Sequence, residues 1–312
     1  MHEICSPGPR PSVSVVIPHY NHLESLGRCY AKLRTQTWPQ DDLEIVVADN
    51  NSACGMDAVR SIVPDAIVVP APVQGAGPAR NAGVAASRGR ILAFLDSDCV
   101  PEPDWIMEGV AALQRYDFAG GQVITFARWP DRPNPTEAYE CVFNFNFRRY
   151  IEKVGFSGTG NMFVPRLVFD RVGGFRSGVA EDIDWSFRAR ELGYQIGYAG
   201  RAVVGHPARR TWNELEQRWS RMEAEHFLLW RERRHGRALF VVRALVMPVS
   251  AIPHAGRVLL TSRLSGLRAR FEAIAVLFRL RAWRARRMLW LAWQNSPTPA
   301  TSGSTEMEPC PE

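Results

Sequence analysis

Four short runs of β-branched and other apolar residues punctuate the first hundred positions. They are Val13-Ser-Val-Val-Ile17, Leu43-Glu-Ile-Val-Val-Ala48, Ala66-Ile-Val-Val69 and Ile91-Leu-Ala-Phe-Leu95. Their near-continuous apolar character is that of strands covered on both faces. Between them, at 23–36 and 78–87, the apolar positions shift to helical spacing. A β-α-β-α-β order of this kind predicts an α/β fold with a doubly wound, mostly parallel, Rossmann-like sheet. Ligands of such sheets sit beyond the carboxyl ends of the strands.

Three polar stretches fall at those ends. Pro18-His-Tyr-Asn21 follows the first strand, Asp49-Asn-Asn-Ser52 the second and Asp96-Ser-Asp98 the fourth. Asn and Asp favour turns for local reasons, so one such stretch would mean little, whereas three on the same edge predict a site. Farther on, Gly158-Thr-Gly-Asn-Met-Phe-Val164 reads as a glycine-rich loop entering a strand, and Val172-Gly-Gly-Phe175 as a tight turn. Glu181-Asp-Ile-Asp184 opens a helix over 182–192 whose Ile183, Phe187 and Leu192 are expected to face inward. The helix dipole alone favours acidic residues in a first turn, so capping and catalysis both remain open there.

The last third changes character. From 211 to 235 the pattern is helical and rich in Trp, Arg and Glu; from 238 to 293 it is apolar and arginine-rich, broken at Pro248 and Pro253. Its longest nearly uncharged stretch, 244–256, is shorter than the ~20 apolar residues that cross a bilayer. A Ser, Thr, Pro and Glu tail over 295–312 is expected to be disordered. The net charge of +6 hides this division. Residues 1–200 hold 19 Lys+Arg and 23 Asp+Glu, residues 201–295 hold 19 and 6, and the rest hold three acidic side chains and no basic one.

A near-neutral body with a basic segment implies an anionic partner for that segment, nucleic acid or membrane. Arginines interleaved with Leu, Val, Ala and Trp at helical spacing, with six of ten tryptophans beyond 210, favour an anionic membrane surface through 238–294 and no nucleic acid. Packing of these helices on the catalytic body or on another subunit is the alternative, which leaves an oligomer open. A hydrophobic content of 46% excludes disorder as the dominant state. Six cysteines without C-x-x-C spacing suggest neither a disulfide framework nor a zinc module, so a reducing compartment is expected. Pro7, Pro9 and Pro11 precede an apolar run too short for a signal peptide, so no secretory signal is expected.

Asp96-Ser-Asp98 offers two carboxylates to a divalent hard cation, whose remaining positions diphosphate oxygens can fill. Such a cation stabilises charge on a departing nucleoside diphosphate. A lone D-x-D is more often a turn. Here, however, it stands in an ordered series. Val13-Ser-Val-Val-Ile-Pro-His-Tyr-Asn21, Ala79-Arg-Asn-Ala-Gly83, Gly89-Arg-Ile-Leu-Ala-Phe-Leu-Asp-Ser-Asp98, Gly173-Gly-Phe175 and Glu181-Asp182 resemble family 2 inverting glycosyltransferases of the GT-A fold, over about residues 11–210.

The resemblance implies a nucleotide-diphosphate sugar donor, a Mn²⁺ or Mg²⁺ ion and an acceptor hydroxyl on a glycan or lipid-linked molecule. Pro18 and Tyr20 match the loop lining the base. Asp49 and Asn50 stand where the family usually has two acidic residues; an amide both donates and accepts, so Asn50 is expected to read a pyrimidine edge, with UDP and dTDP both open. Arg80 and Asn81 match the helix beside the diphosphate. Asp96, Ser97 and Asp98 match the metal motif, Asp98 being favoured for direct coordination, with His206 as a further candidate ligand. Asp182 matches the general base, and Glu181 and Asp184 are weaker alternatives. Gly158, Gly160, Asn161 and Trp185 are expected on the acceptor side. Arg209 and Arg210 either clamp phosphates or simply begin the basic segment.

The expected organisation is a GT-A catalytic domain over 1–210, a basic helical extension over 211–294 and the tail. Within the first, a nucleotide-sugar half covers about 11–100 and an acceptor half about 101–210. The expected enzyme is cytoplasmic and peripheral on the inner membrane face, building envelope polysaccharide or glycolipid. One rival is a nucleotidyltransferase, which should show a glycine- and lysine-bearing loop after the first strand; 18–22 has neither. Another is a non-catalytic nucleotide-sugar-binding scaffold, against which the joint presence of Asp98 and Asp182 argues.

Overall fold

The four apolar runs form β1 (Val13–His19), β2 (Leu43–Asp49), β3 (Ile67–Pro70) and β4 (Ile91–Leu95) in a computed structural model that describes residues 12–231 and 234–294. Helices α1 (Leu23–Leu33), α2 (Gly55–Ile62) and α3 (Ala76–Ala86) connect them. Then follow β5 (Val100–Pro101), α4 (Trp105–Ala112), β6 (Phe118–Phe126), α5 (Pro135–Phe143) and α6 (Phe147–Arg149). The next elements are β7 (Asn161–Pro165), α7 (Arg166–Val172), α8 (Glu181–Glu191) and β8 (Ile196–Pro207). Four helices close the described chain: α9 (Trp212–Arg231), α10 (Gly236–Val246), α11 (Ala251–Leu260) and α12 (Leu267–Trp293). The tail predicted to be disordered lies outside the described residues.

The strands form one mixed sheet in the order β3-β2-β1-β4-β7-β6-β8-β5. β3, β2, β1 and β4 are parallel, as the β-α-β pattern predicts. β7 pairs antiparallel to both β4 and β6, and β5 antiparallel to β8. The β4–β7 register sets Leu95 opposite Asn161. The loop ending at Gly160 is thereby delivered to the carboxyl end of β4, where Asp96 begins.

Alternation along β1 feeds two apolar layers. Val13, Val15 and Ile17 pack with Leu26, Leu33, Val47 and Trp105 on one face, while Val16 packs with Phe94, Met162 and Trp185 on the other. Helices on both faces are what a doubly wound sheet needs to hide strands that lack polar positions. Gly83 lets α3 seat closely on β1, because a Cβ there would fall 2.6 Å from Val16 Cγ1.

α8 turns a different face inward from the one its sequence suggested. Phe187 and Leu192 are exposed and Ile183 is half-buried, while Trp185, Ser186 and Ala189 are buried. Trp185 decides the rotation: it packs among Phe118, Phe169 and Phe175, and its indole N–H donates to Gly173 O at 2.9 Å. One large indole with a hydrogen-bond partner outweighs two apolar positions of weak periodicity.

The chain forms two compact units. One contains the described residues up to Ile124 together with Asn146–His206; the other contains Thr125–Phe145 and the described residues from Pro207 onward. The second unit therefore includes α5, which a sequence division at 210 leaves with the catalytic body. α5 starts in a capping box between Asn134 and Glu137. The second unit neutralises several of its own arginines. Arg209 and Arg218 hold the buried Glu140, and Arg284 donates to the buried Glu223 at 2.7 Å. No single described helix is long and apolar enough to cross a membrane; α10 and α11 are so only together, and they are bent by 53°.

Candidate functional site

The loops after β1 and β2 are stitched to each other. Asn21 and Asn51 take left-handed backbone, which Asn tolerates better than most residues. Asn21 N–H donates to Ser52 Oγ, and Asn21 Oδ1 accepts from Ala53 N–H. Asp49 is buried and accepts from Ser52 Oγ at 2.5 Å, from Ser52 N–H at 3.1 Å and from His19 Nδ1 at 3.0 Å. The expectation for Asn50 is corrected. Its amide donates to Ala71 O and Val73 O, and its carbonyl accepts from Gly75 N–H, so the side chain folds the 71–75 loop and has no hydrogen left for a base. Tyr20, just beyond β1, is 44% exposed and free to stack; Pro18 is half-buried within the strand.

The carboxyl end of β4 is the centre of charge. Asp96, Ser97 and Asp98 follow Leu95 directly, and all three are half-buried. Arg80 on α3 is buried and bridges two elements: Nη2 donates to Asp96 Oδ1 at 2.6 Å, and Nη1 to Glu181 Oε1 at 3.0 Å. Burial alone would pull the Arg80 pKa down, but Asp96 and Glu181 outweigh it and hold the guanidinium above its ordinary value. His206 Nε2, at the end of β8, lies 3.4 Å from Asp98 Oδ2. Candidate ligand atoms of Asp96, Asp98 and Cys99 lie within 4.8 Å of one another.

This donor set fits a hard divalent cation. Carboxylate and imidazole suit Mn²⁺, and carboxylate suits Mg²⁺. The Cys99 thiol is buried, and burial with the two aspartates beside it pushes its pKa well up, which keeps the soft thiolate out of the set. Asp98 and His206 are the residues best placed to hold the ion, since one oxygen of Asp96 is engaged by Arg80. Space is kept by Gly160, where a Cβ would stand 2.7 Å from Asp96 Oδ2.

Asp182, in the first turn of α8, completes the site. Its Oδ1 accepts the Ile183 N–H at 2.8 Å, and its Oδ2 faces Gly158, whose Cβ would stand 3.7 Å away. Burial, then the like charge of Glu181, raises its pKa from 3.8 to about 6; the Ile183 N–H and Arg80 oppose the rise. A carboxylate poised there is ionised at neutral pH yet basic enough to take a proton. Glu181 is committed to Arg80. Asp184 is held by Arg188 at 2.8 Å and by Arg176 at 3.3 Å, so its carboxylate braces the helix.

Other expected site residues are structural. The Asn81 amide pairs with both Phe175 N–H and Phe175 O, clamping the Gly173-Gly-Phe175 turn. Asn161 is fully buried: it accepts the Trp105 indole N–H and donates to Gln122 O and Ala202 O. Trp185 is a core residue with no exposure. Arg209 lies in the second unit against Glu140, and Arg210 approaches Glu137 at 3.8 Å.

The motif reading missed His19 and Ser52 as functional supports, although both lie within the quoted stretches. His19 is 1% exposed, and burial lowers its pKa despite Asp49. Only the register that sets His19 beside Asp49 reveals them as one cluster.

The comparisons agree with this geometry. Residues 14–177 match the model of Glycosyl transferase family 2. Glycosyltransferase AglE of Haloferax volcanii is 33% identical over 229 residues, 70% of this chain and 74% of its own length. Succinoglycan biosynthesis protein ExoO of Rhizobium meliloti is 34% identical over 116 residues, 36% of this chain and 32% of its own. Among solved structures, a mannosyltransferase from Pyrobaculum calidifontis, in complex with GDP-Man and Mn²⁺, superposes with TM-score 0.59 at 20% identity, covering 92% of this chain and 87% of that one. The likeness gives the GT-A type of fold, and the family match over half the chain, with AglE, makes this protein a transferase enzyme that belongs to glycosyl transferase family 2.

Proposed function

We propose that the protein moves a sugar from a nucleoside-diphosphate donor to a hydroxyl of a glycan or lipid-linked acceptor, with inversion at the anomeric carbon. The observation that carries this reading is Arg80, which joins Asp96 to the start of α8 and so sets the metal motif and Asp182 around the Gly158–Gly160 loop. The solved neighbour that holds GDP-Man and Mn²⁺ supports the donor class and the cation. Family membership removes the nucleotidyltransferase alternative.

In this mechanism Tyr20 stacks on the base while the polar edge of β1 and β2 shapes the nucleoside pocket. Asp98, His206 and Asp96 would hold the ion, which when bound supplies Lewis-acid charge to the departing diphosphate. Asp182 takes the proton of the acceptor hydroxyl as that oxygen bonds to the anomeric carbon and the carbon–diphosphate bond breaks on the opposite face. General-base assistance of this kind contributes about 10²–10⁴-fold. The test is a screen of nucleotide sugars with Mn²⁺, with product configuration read by NMR. A product retaining the donor's anomeric configuration would remove the single displacement, and full activity in Asp182→Asn would remove the base.

A further inference from the structure

The outward side of α10 and α11 has a composition unsuited to water. α10 buries Phe240 and Ala244, with Met247 beyond it, in a cluster with Phe227, Met288 and Leu291. Away from that face stand Val242, Leu245, Val246, Val249 and Ile252, each 55–64% exposed. Val242, Leu245 and Val246 follow i, i+3, i+4 spacing on α10, a second apolar stripe on an element that has already buried one, and Val249 lies in the turn just beyond it. Leu260, at the end of α11, and Phe271, on α12, are also exposed, at 88% and 61%. Contiguous exposed apolar area of this kind marks an interaction site.

Charge identifies the occupant. No Asp, Glu, Lys or Arg occurs from 244 to 256, while seven arginines and no acidic residue occur from 234 to 270. A second copy of the chain on this face would set arginine rim against arginine rim, and the next acidic residue along the chain, Glu272, is already held by Arg268. A surface that is apolar beneath and anionic above complements both features. Spanning does not suit the pair: Phe240, Ala244, Ala251 and Val258 are committed to the protein. Each helix, at 10 or 11 residues, is about 15–17 Å long, half of a ~30 Å hydrocarbon core.

We propose that α10, α11 and the bend between them lie in the plane of an anionic lipid surface, the stripe at the acyl boundary and the arginines at headgroup phosphates. This goes beyond the transfer reaction and does not depend on it. The test is sedimentation of the full chain with phosphatidylcholine vesicles, with and without phosphatidylglycerol. Binding should require the anionic lipid and weaken with salt. Leu245→Asp with Ile252→Asp should lose more than tenfold in affinity, and Arg234→Gln and Arg257→Gln roughly fivefold each, since an arginine near an anionic surface contributes ~1 kcal/mol. All four side chains are exposed, and an unchanged melting midpoint confirms the variants fold. Absence of binding, equal binding to both vesicles, or a concentration-dependent dimer dissolved by the aspartate pair would each overturn the proposal.

Discussion

Replacing Asp182 by Asn should inactivate the enzyme and stabilise it at the same time. In the folded chain this carboxyl holds its proton up to about pH 6, against 3.8 ordinarily, because burial and Glu181 disfavour its charge. The folded state thus binds the proton more tightly than the unfolded state, and above pH 6 the ionised side chain costs stability; the cost shrinks as pH falls from 6 towards 3.8. At 1.36 kcal/mol per pH unit the full cost is about 3 kcal/mol, which solvent reaching the site reduces to about 1–3. Asn keeps an acceptor for the Ile183 N–H but carries no charge. At 2–4 °C per kcal/mol, the variant should melt roughly 2–12 °C higher at pH 8, with the difference closing near pH 4. Scanning calorimetry across pH reads this, and a donor-turnover assay should show transfer down about 10²–10⁴-fold. A variant that melts lower than its parent at pH 8 and keeps more than a tenth of its activity would refute both the strain and the base assignment.

Three further outcomes follow from the same site. Arg80→Met leaves Asp96 and Glu181 without their shared cation and removes a charge that lowers the Asp182 pKa, so the acidic limb of kcat/KM should move above pH 6; an unmoved limb in the pH profile would separate Arg80 from the base. Asp98→Ala should reduce transfer by about 10³-fold or more and leave a thermal-shift titration with Mn²⁺ flat, while chelation of the wild-type enzyme should cause a loss of activity that added Mn²⁺ restores. Trp185→Phe removes the bond to Gly173 O and should cost about 1–2 kcal/mol by urea unfolding, with donor and acceptor KM unchanged; a raised acceptor KM would return Trp185 to the acceptor side.

The sequence by itself determined the parallel half of the sheet, because runs such as Val13–Ile17 and Ile91–Leu95 lack the polar positions that a solvent-facing strand would carry. It also grouped Asp96, Asp98 and Asp182 as candidates for one site, since their order and flanking residues resemble one family. It could not determine which polar side chains remain available. Asn50, Asn81 and Asn161 read as ligand-binding amides until their donors and acceptors are counted against backbone groups brought from 21 to 94 positions away. The rotation of α8 depended on where the Trp185 indole found a partner. The bridge from Arg80 to both Asp96 and Glu181 spans 101 positions and exists only once α3 and α8 are packed. Local pattern is set by near neighbours along the chain, whereas hydrogen-bond satisfaction and buried charge depend on groups that only tertiary packing brings within reach.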